Sequence, residues 1–203
     1  MKFLRKPAVA PGRLGVLASA FHPPTKAHLA LARAALDTFE TEEVLFVLPE
    51  RFPHKRYDGV TLEERLELVL AATAHEGRFS VAVAEAGLFL QIAREARGHY
   101  PPSVRLRFLC GRDAAERIVG WDYGELPPIE EQLEEFELLV APRGGAYEAP
   151  AQLGNAIGEL RVTGDWDEVA SSRVRERVGA GGDWEQWIPE SIAARVAQIY
   201  GKR

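Results

Sequence analysis

Two segments of the chain carry residue types that could bind and activate phosphate. The first reads Ala20-Phe21-His22-Pro23-Pro24-Thr25-Lys26-Ala27-His28 and joins an apolar run directly to a helical pattern. The unpaired N–H groups of such a helix start face the end of the preceding strand, where free amides and the helix dipole attract anions. His28 falls in the first turn, and its ring could add a donor to the same anion. The bland alternative has His28 covering the helix face and His22 as a loop residue in solvent; spacing alone accommodates both. The second segment is Ser171-Ser172-Arg173-Val174-Arg175, with Arg177 beyond it. Serines ahead of arginine fit an N-cap and first helical turn, a second anion site. Arg173 and Arg175 stand about 200° apart around a helix, so they cannot enter one pocket. Periodicity does not choose between them, and the bland alternative is a capped helix with a solvated basic face.

These segments need a scaffold, and the hydrophobic pattern predicts one. Apolar runs at Arg13 to Ala20, Val44 to Leu48, Phe79 to Ala84, Val104 to Cys110 and within Glu134 to Pro142 read as buried strands, with a sixth, short one at Leu160 to Thr163. Between them lie helical patterns: Lys26 or Ala27 to Phe39, a helix opened by Thr61 with Glu64 as its capping box, and Leu88 to Arg97. On the second of these, Leu62, Leu66, Val69 and Leu70 are expected to face inward. Strands alternating with helices argue for an α/β fold, a Rossmann-like parallel sheet with helices on both faces. In such sheets ligands bind beyond the carboxyl ends of the strands, so chemistry is expected in the loops after Ala20, Leu48, Cys110 and Ala141. The expected division is a core over 1–168 and a C-terminal helical segment over 169–203, with a final amphipathic helix from Glu190 to Tyr200.

The two phosphate-seeking segments resemble the signature pair of the adenylyl- and cytidylyltransferase superfamily. Ala18 to His28 fill the eleven positions of its Gly-Gly-Ser/Thr-Phe-Asp-Pro-x-His-x-Gly-His motif, and Val169 to Arg175 lie on its Ile-Ser-Ser-Thr/Ser-x-Ile/Val-Arg motif. Within the superfamily the chain is most similar to bacterial nicotinate-nucleotide adenylyltransferases. Pro53-His54-Lys55, the Thr61 to Leu66 helix start, Gly111-Arg112-Asp113 with Trp121, Pro142-Arg143-Gly144 and Trp187-Ile188-Pro189 follow their pattern in order. The resemblance implies adenylyl transfer from ATP to nicotinate mononucleotide, a step of NAD biosynthesis. It places His28 and Thr25 on the α- and β-phosphates, and Ser172 and Arg175 on the β- and γ-phosphates. Ala20, Phe21, Gly111, Asp113 and Ser171 complete the ATP site; Lys55, Trp121 and Arg143 face the acceptor. Mg²⁺ is expected to arrive on the ATP phosphates, with no metal site built from side chains. The chain departs from the motif at Thr25, Ala27 and His22, which replace the first histidine, the glycine and the aspartate, and at Ala170. Gly87, Leu88 and Phe89 stand where the family carries Ser-Tyr-Thr near the nicotinate ring. That change points to a different phosphomonoester acceptor as the rival reading, and a nucleotide-binding relative with little activity as another.

Composition agrees with a small enzyme. The chain has 203 residues, 46% of them hydrophobic, and a formal net charge of −5, which disfavours electrostatic coating of nucleic acid. A single cysteine, Cys110, precludes an internal disulfide, and His75, His99 and Cys110 read as incidental to the chemistry. No apolar run is long enough for a signal peptide or a membrane span, so the expected location is the cytoplasm. The expected partners are ATP and a mononucleotide-like acceptor, and the oligomeric state stays open.

Overall fold

The computed structural model describes residues 1–7, 10–38, 40–52, 59–142 and 144–201. Their strands form one seven-stranded sheet in the order β1-β4-β3-β2-β5-β6-β7. The strands are β1 (Lys2–Arg5), β2 (Arg13–Ala18), β3 (Glu43–Arg51), β4 (Phe79–Ala86), β5 (Arg105–Gly111), β6 (Glu137–Ala141) and β7 (Ile157–Glu159). All neighbouring strands run parallel except β1, which pairs antiparallel with β4. The chain moves outward from β2 through β3 to β4, then crosses back to lay β5 against the other side of β2. The topological switch point therefore lies between β2 and β5, where open α/β sheets bind ligands.

Alternation along the strands sends side chains into two cores. On one face Leu17, Val44, Phe46, Leu48, Phe79 and Val81 pack against α1 (Lys26–Asp37) and against Val69 of α2 (Leu62–Ala72). On the other, Leu14, Val16, Leu45, Val47, Leu106 and Phe108 pack against α3 (Phe89–Arg97), α4 (Arg112–Val119) and α5 (Ile129–Gln132). Burial on both faces is why the strands read as continuous apolar runs. A third core joins Leu68 and Ala72 of α2 to Val174 of α6 (Ser171–Ala180), Ile188, Ile192, and Val196 and Ile199 of α7 (Ala193–Tyr200). No helix among the described residues is long and apolar enough to cross a membrane.

Besides helices α4 and α5, which the sequence reading did not give, the structure departs from it in four places. β1 was not expected, because its charged, half-buried residues give no apolar run. Arg5 fastens it, donating to the carbonyls of Phe79 at 3.1 Å, Leu70 at 3.3 Å and Thr73 at 3.1 Å. The short last strand is Ile157–Glu159 rather than Leu160 to Thr163. The Thr61 capping box forms, with Glu64 N–H donating to Thr61 Oγ1 at 3.1 Å. The buried face of α2, however, is Arg65, Leu68, Val69 and Ala72, while Leu62, Leu66 and Leu70 are half-buried. The final helix begins at Ala193, after a 3₁₀ turn over Glu190–Ile192.

Candidate active site

A cleft of about 1030 Å³ opens at the carboxyl ends of β2, β5 and β6. Three helices start on it: α1, through Thr25, Ala27 and His28; α4, through Gly111; and α6, through Ala170, Ser171 and Ser172. Each presents N-terminal amides and the positive end of its dipole to the same volume. Phe21, Thr25, His28, Ser172 and Arg175 all line this cleft.

The geometry of the first segment explains its unusual sequence. Phe21, fully buried, sits at φ +46°, a left-handed conformation that strains a bulky residue. Its ring lies 5.1 Å from that of His28 and 5.6 Å from that of Phe46, so packing holds the strained turn. His28 is the third residue of α1, and its Nδ1 accepts from the Thr25 N–H at 3.0 Å. The Thr25 hydroxyl lies 2.8 Å from the same nitrogen. An Nδ1 that accepts from a backbone amide leaves the ring proton on Nε2, so His28 is oriented as a neutral imidazole that donates from Nε2. Thr25 is buried and lines the cleft, and its hydroxyl, turned towards His28, also aligns the imidazole. The Phe21 amide faces Ser19 Oγ at 3.5 Å, and the Ala20 carbonyl accepts from Arg65 at 2.9 Å. Both residues therefore shape the loop.

The second segment meets the first directly. Arg175 donates to the His22 carbonyl at 2.6 Å, and Ser171 Oγ donates to the Pro23 carbonyl at 2.8 Å. The choice that periodicity left open is thereby made: Arg175 lines the cleft, whereas Arg173 is exposed and ion-paired with Glu168. Arg177 lies over the ring of Trp187 at 4.0 Å. The N-cap of α6 is Ala170 rather than a serine, and the Ser171 hydroxyl ties the loop instead of capping the helix. His22, which the bland alternative placed in solvent, is buried, and its Nδ1 lies 3.1 Å from the Tyr200 hydroxyl.

Asp113 is exposed on the first turn of α4, and Trp121, 38% exposed, follows that helix; neither is among the residues lining the cleft. Lys55 and Arg143 lie outside the described residues. The β5–β7 side of the cleft is walled by residues that include Ala114, Arg117, Gly145 and Trp166. Trp166 is held by its indole N–H, which donates to the Thr163 carbonyl at 2.8 Å. Gly164 beneath it has φ +97°, and a Cβ there would stand 3.1 Å from the indole nitrogen. Asp167 accepts from the Gly144 N–H at 3.0 Å, tying this strap to the turn after β6. Sequence reasoning missed Trp166; an aromatic five residues ahead of the serine pair was the available signal. The floor holds Cys110, whose thiol burial pushes up to about 12, so it stays protonated. Phe89 also lines the cleft, with its ring stacked 4.2 Å from Phe108. Among the described residues no group of three or more His, Cys, Asp or Glu is placed to hold a metal ion.

A family model described as cytidylyltransferase-like matches residues 16–177. The chain is 28% identical over 197 residues to the probable nicotinate-nucleotide adenylyltransferase of Gloeobacter violaceus, an alignment spanning 91% of this chain and 93% of that protein. It is 30% identical over 191 residues to the protein of the same name from Geobacter sulfurreducens, spanning 90% of this chain and 84% of that one. Among solved structures, Plasmodium falciparum nicotinic acid mononucleotide adenylyltransferase complexed with NaAD shares the fold. Its TM-score is 0.73 at 13% identity, over 92% of this chain and 95% of that one.

Proposed function

The chain belongs to the cytidylyltransferase-like family of nucleotidyltransferases, and from that premise we propose that it transfers the adenylyl group of ATP to nicotinate mononucleotide, releasing diphosphate. The observation that carries this reading is the meeting of the α1 and α6 starts, with His28 and Arg175, on one cleft. A phosphate oxygen of the acceptor attacks the α-phosphorus in line. A new P–O bond forms there, the bond to the bridging oxygen breaks, and diphosphate leaves with the electron pair. No side-chain nucleophile is required, so catalysis is positioning and neutralisation of charge. His28 donates from Nε2 to an α-phosphate oxygen. Arg175, which uses one N–H on the His22 carbonyl, turns others of its five donors to the β- and γ-phosphates. Ser172 and the α6 amides join it there. A guanidinium bonded to a neutral carbonyl keeps its full charge for the departing diphosphate.

Trp166 offers an aromatic face for the adenine. Lys55 and Arg143 are assigned to the acceptor on the resemblance. Mg²⁺ fits as a companion of the triphosphate: Asp165 and Asp167 line the cleft, and among the described residues no group of three or more His, Cys, Asp or Glu could hold the ion without the phosphates. When bound, it supplies further charge neutralisation at the phosphoryl oxygens.

One observation favours a second acceptor. Phe89 brings an apolar ring to the cleft where the family pattern has hydroxyls, which suits an acceptor lacking the nicotinate carboxylate. Diphosphate release from ATP and Mg²⁺ with nicotinate mononucleotide, nicotinamide mononucleotide and 4′-phosphopantetheine in parallel tests both readings. The highest rate is expected with nicotinate mononucleotide, and a higher rate with another acceptor would replace it. No release with any of the three, alongside measurable binding of an ATP analogue, would overturn the transferase reading.

A further inference from the structure

The last helix reaches the phosphate corner through a contact that the reaction above does not use. Tyr200 closes α7, and its buried hydroxyl lies 3.1 Å from Nδ1 of the buried His22. The two rings meet edge to face, 5.2 Å between centroids at 73°. In the neutral tautomer that carries its proton on Nε2, His22 accepts this bond and Tyr200 donates it. The main-chain carbonyl of the same His22 receives Arg175 at 2.6 Å, and the carbonyl of the next residue, Pro23, receives Ser171 at 2.8 Å. One residue thus joins α7 through its side chain to the cleft arginine through its backbone. The anchor is rigid, because Val196 and Ile199 of α7 share a core with Val174 of α6 and Leu68 of α2. His22 stands where the family motif has an aspartate, and here its imidazole meets the Tyr200 hydroxyl.

We propose that Tyr200 is a positioning residue for the ATP site, acting through His22. Its hydroxyl fixes the imidazole, the imidazole fixes the loop backbone, and the loop carbonyl aims the Arg175 guanidinium. The inference rests on the reading of Arg175 as a triphosphate contact.

Tyr200→Phe in the full chain removes the hydroxyl and keeps the ring. A non-hydrolysable ATP analogue, titrated by calorimetry, is expected to bind about 3- to 10-fold more weakly, the size of one buried hydrogen bond. The kcat/KM for ATP falls by a similar factor, while KM for nicotinate mononucleotide stays unchanged. His22→Asn, which keeps an acceptor within reach of the tyrosine, is expected to bind the analogue nearly as the parent does. His22→Leu should lose what Tyr200→Phe loses, and combining the two should add nothing further. Unchanged analogue binding in Tyr200→Phe, losses that multiply in the double variant, or an equal shift in the acceptor KM would each overturn the inference. The analogue is read without turnover, so this result stands apart from the acceptor screen that decides the transferase reading.

Discussion

At the amino end of the sheet, charges are answered by opposite charges or by hydroxyls. Arg107 bonds both Glu40 and Glu137, and Arg13 pairs with Glu42. The buried Glu43 carboxylate accepts from Ser80 Oγ and the Tyr100 hydroxyl, each at 2.5 Å. At the carboxyl end the groups are mostly donors, and their partners are neutral: a carbonyl for Arg175, a backbone amide and a hydroxyl for His28, and helix starts aimed at open volume. The first end neutralises itself and serves the fold. The second offers helix-start amides, Arg117 and Arg175 to an incoming polyanion, beside Asp165 and Asp167.

Substitutions at the two ends should therefore separate activity from stability. The largest loss is expected at the carboxyl end: Arg175→Ala should lower kcat/KM for ATP by about 10³-fold and His28→Ala by about 10²-fold, measured by diphosphate release. Loss of activity matched by loss of folded protein would break the distinction. At the amino end, Glu43→Ala strands the Tyr100 hydroxyl and leaves Ser80 only the Val44 carbonyl at 3.5 Å, and should cost about 1–3 kcal/mol in urea unfolding. Its kcat/KM should stay at the parent value. A smaller effect belongs to the cleft wall, where Trp166→Ala should raise KM for ATP about 5- to 10-fold and Trp121→Ala should leave it unchanged. An unchanged KM for ATP in Trp166→Ala would take the adenine away from Trp166.

The smallest effect concerns the cleft floor. Cys110 titrates near 9 when unfolded and is pushed up to about 12 by burial. A raised folded pKa contributes stability below the unfolded value and loses it as pH climbs, so the contribution is full below pH 9 and fades between 9 and 12. Cys110→Ala should flatten the alkaline fall in unfolding free energy by about 1 kcal/mol per pH unit in that window.

Much of the fold was legible because its signals are local. Apolar runs revealed β2 to β6, and Thr61 with Glu64 marked the start of α2. The exceptions are elements defined by neighbours. β1 holds through Arg5 reaching carbonyls 65 to 74 residues away, and the short β7 includes Gly158, which gives no apolar pattern. The site divides in the same way. His28 and Arg175 could be singled out from helix-start spacing and the family pattern. The burial of His22 depends on Tyr200, and the choice of Trp166 over Trp121 depends on which loop turns towards the cleft. The aligning role of Thr25 is local, yet it needed the imidazole's orientation to be seen.

The ties between the phosphate loop and the C-terminal helices span 148, 153 and 178 residues of sequence. Contacts so distant along the chain form late, after the entropy of closing a long loop has been overcome. The first hundred residues carry the sequence of β2 to β4 but neither α6 nor Tyr200. The nucleotide site comes into being only when α6 and then Tyr200 return to the loop that was synthesised first. Ligand binding is in this sense a report on completed synthesis: a chain interrupted before Arg175 can collapse around its sheet and still hold no triphosphate.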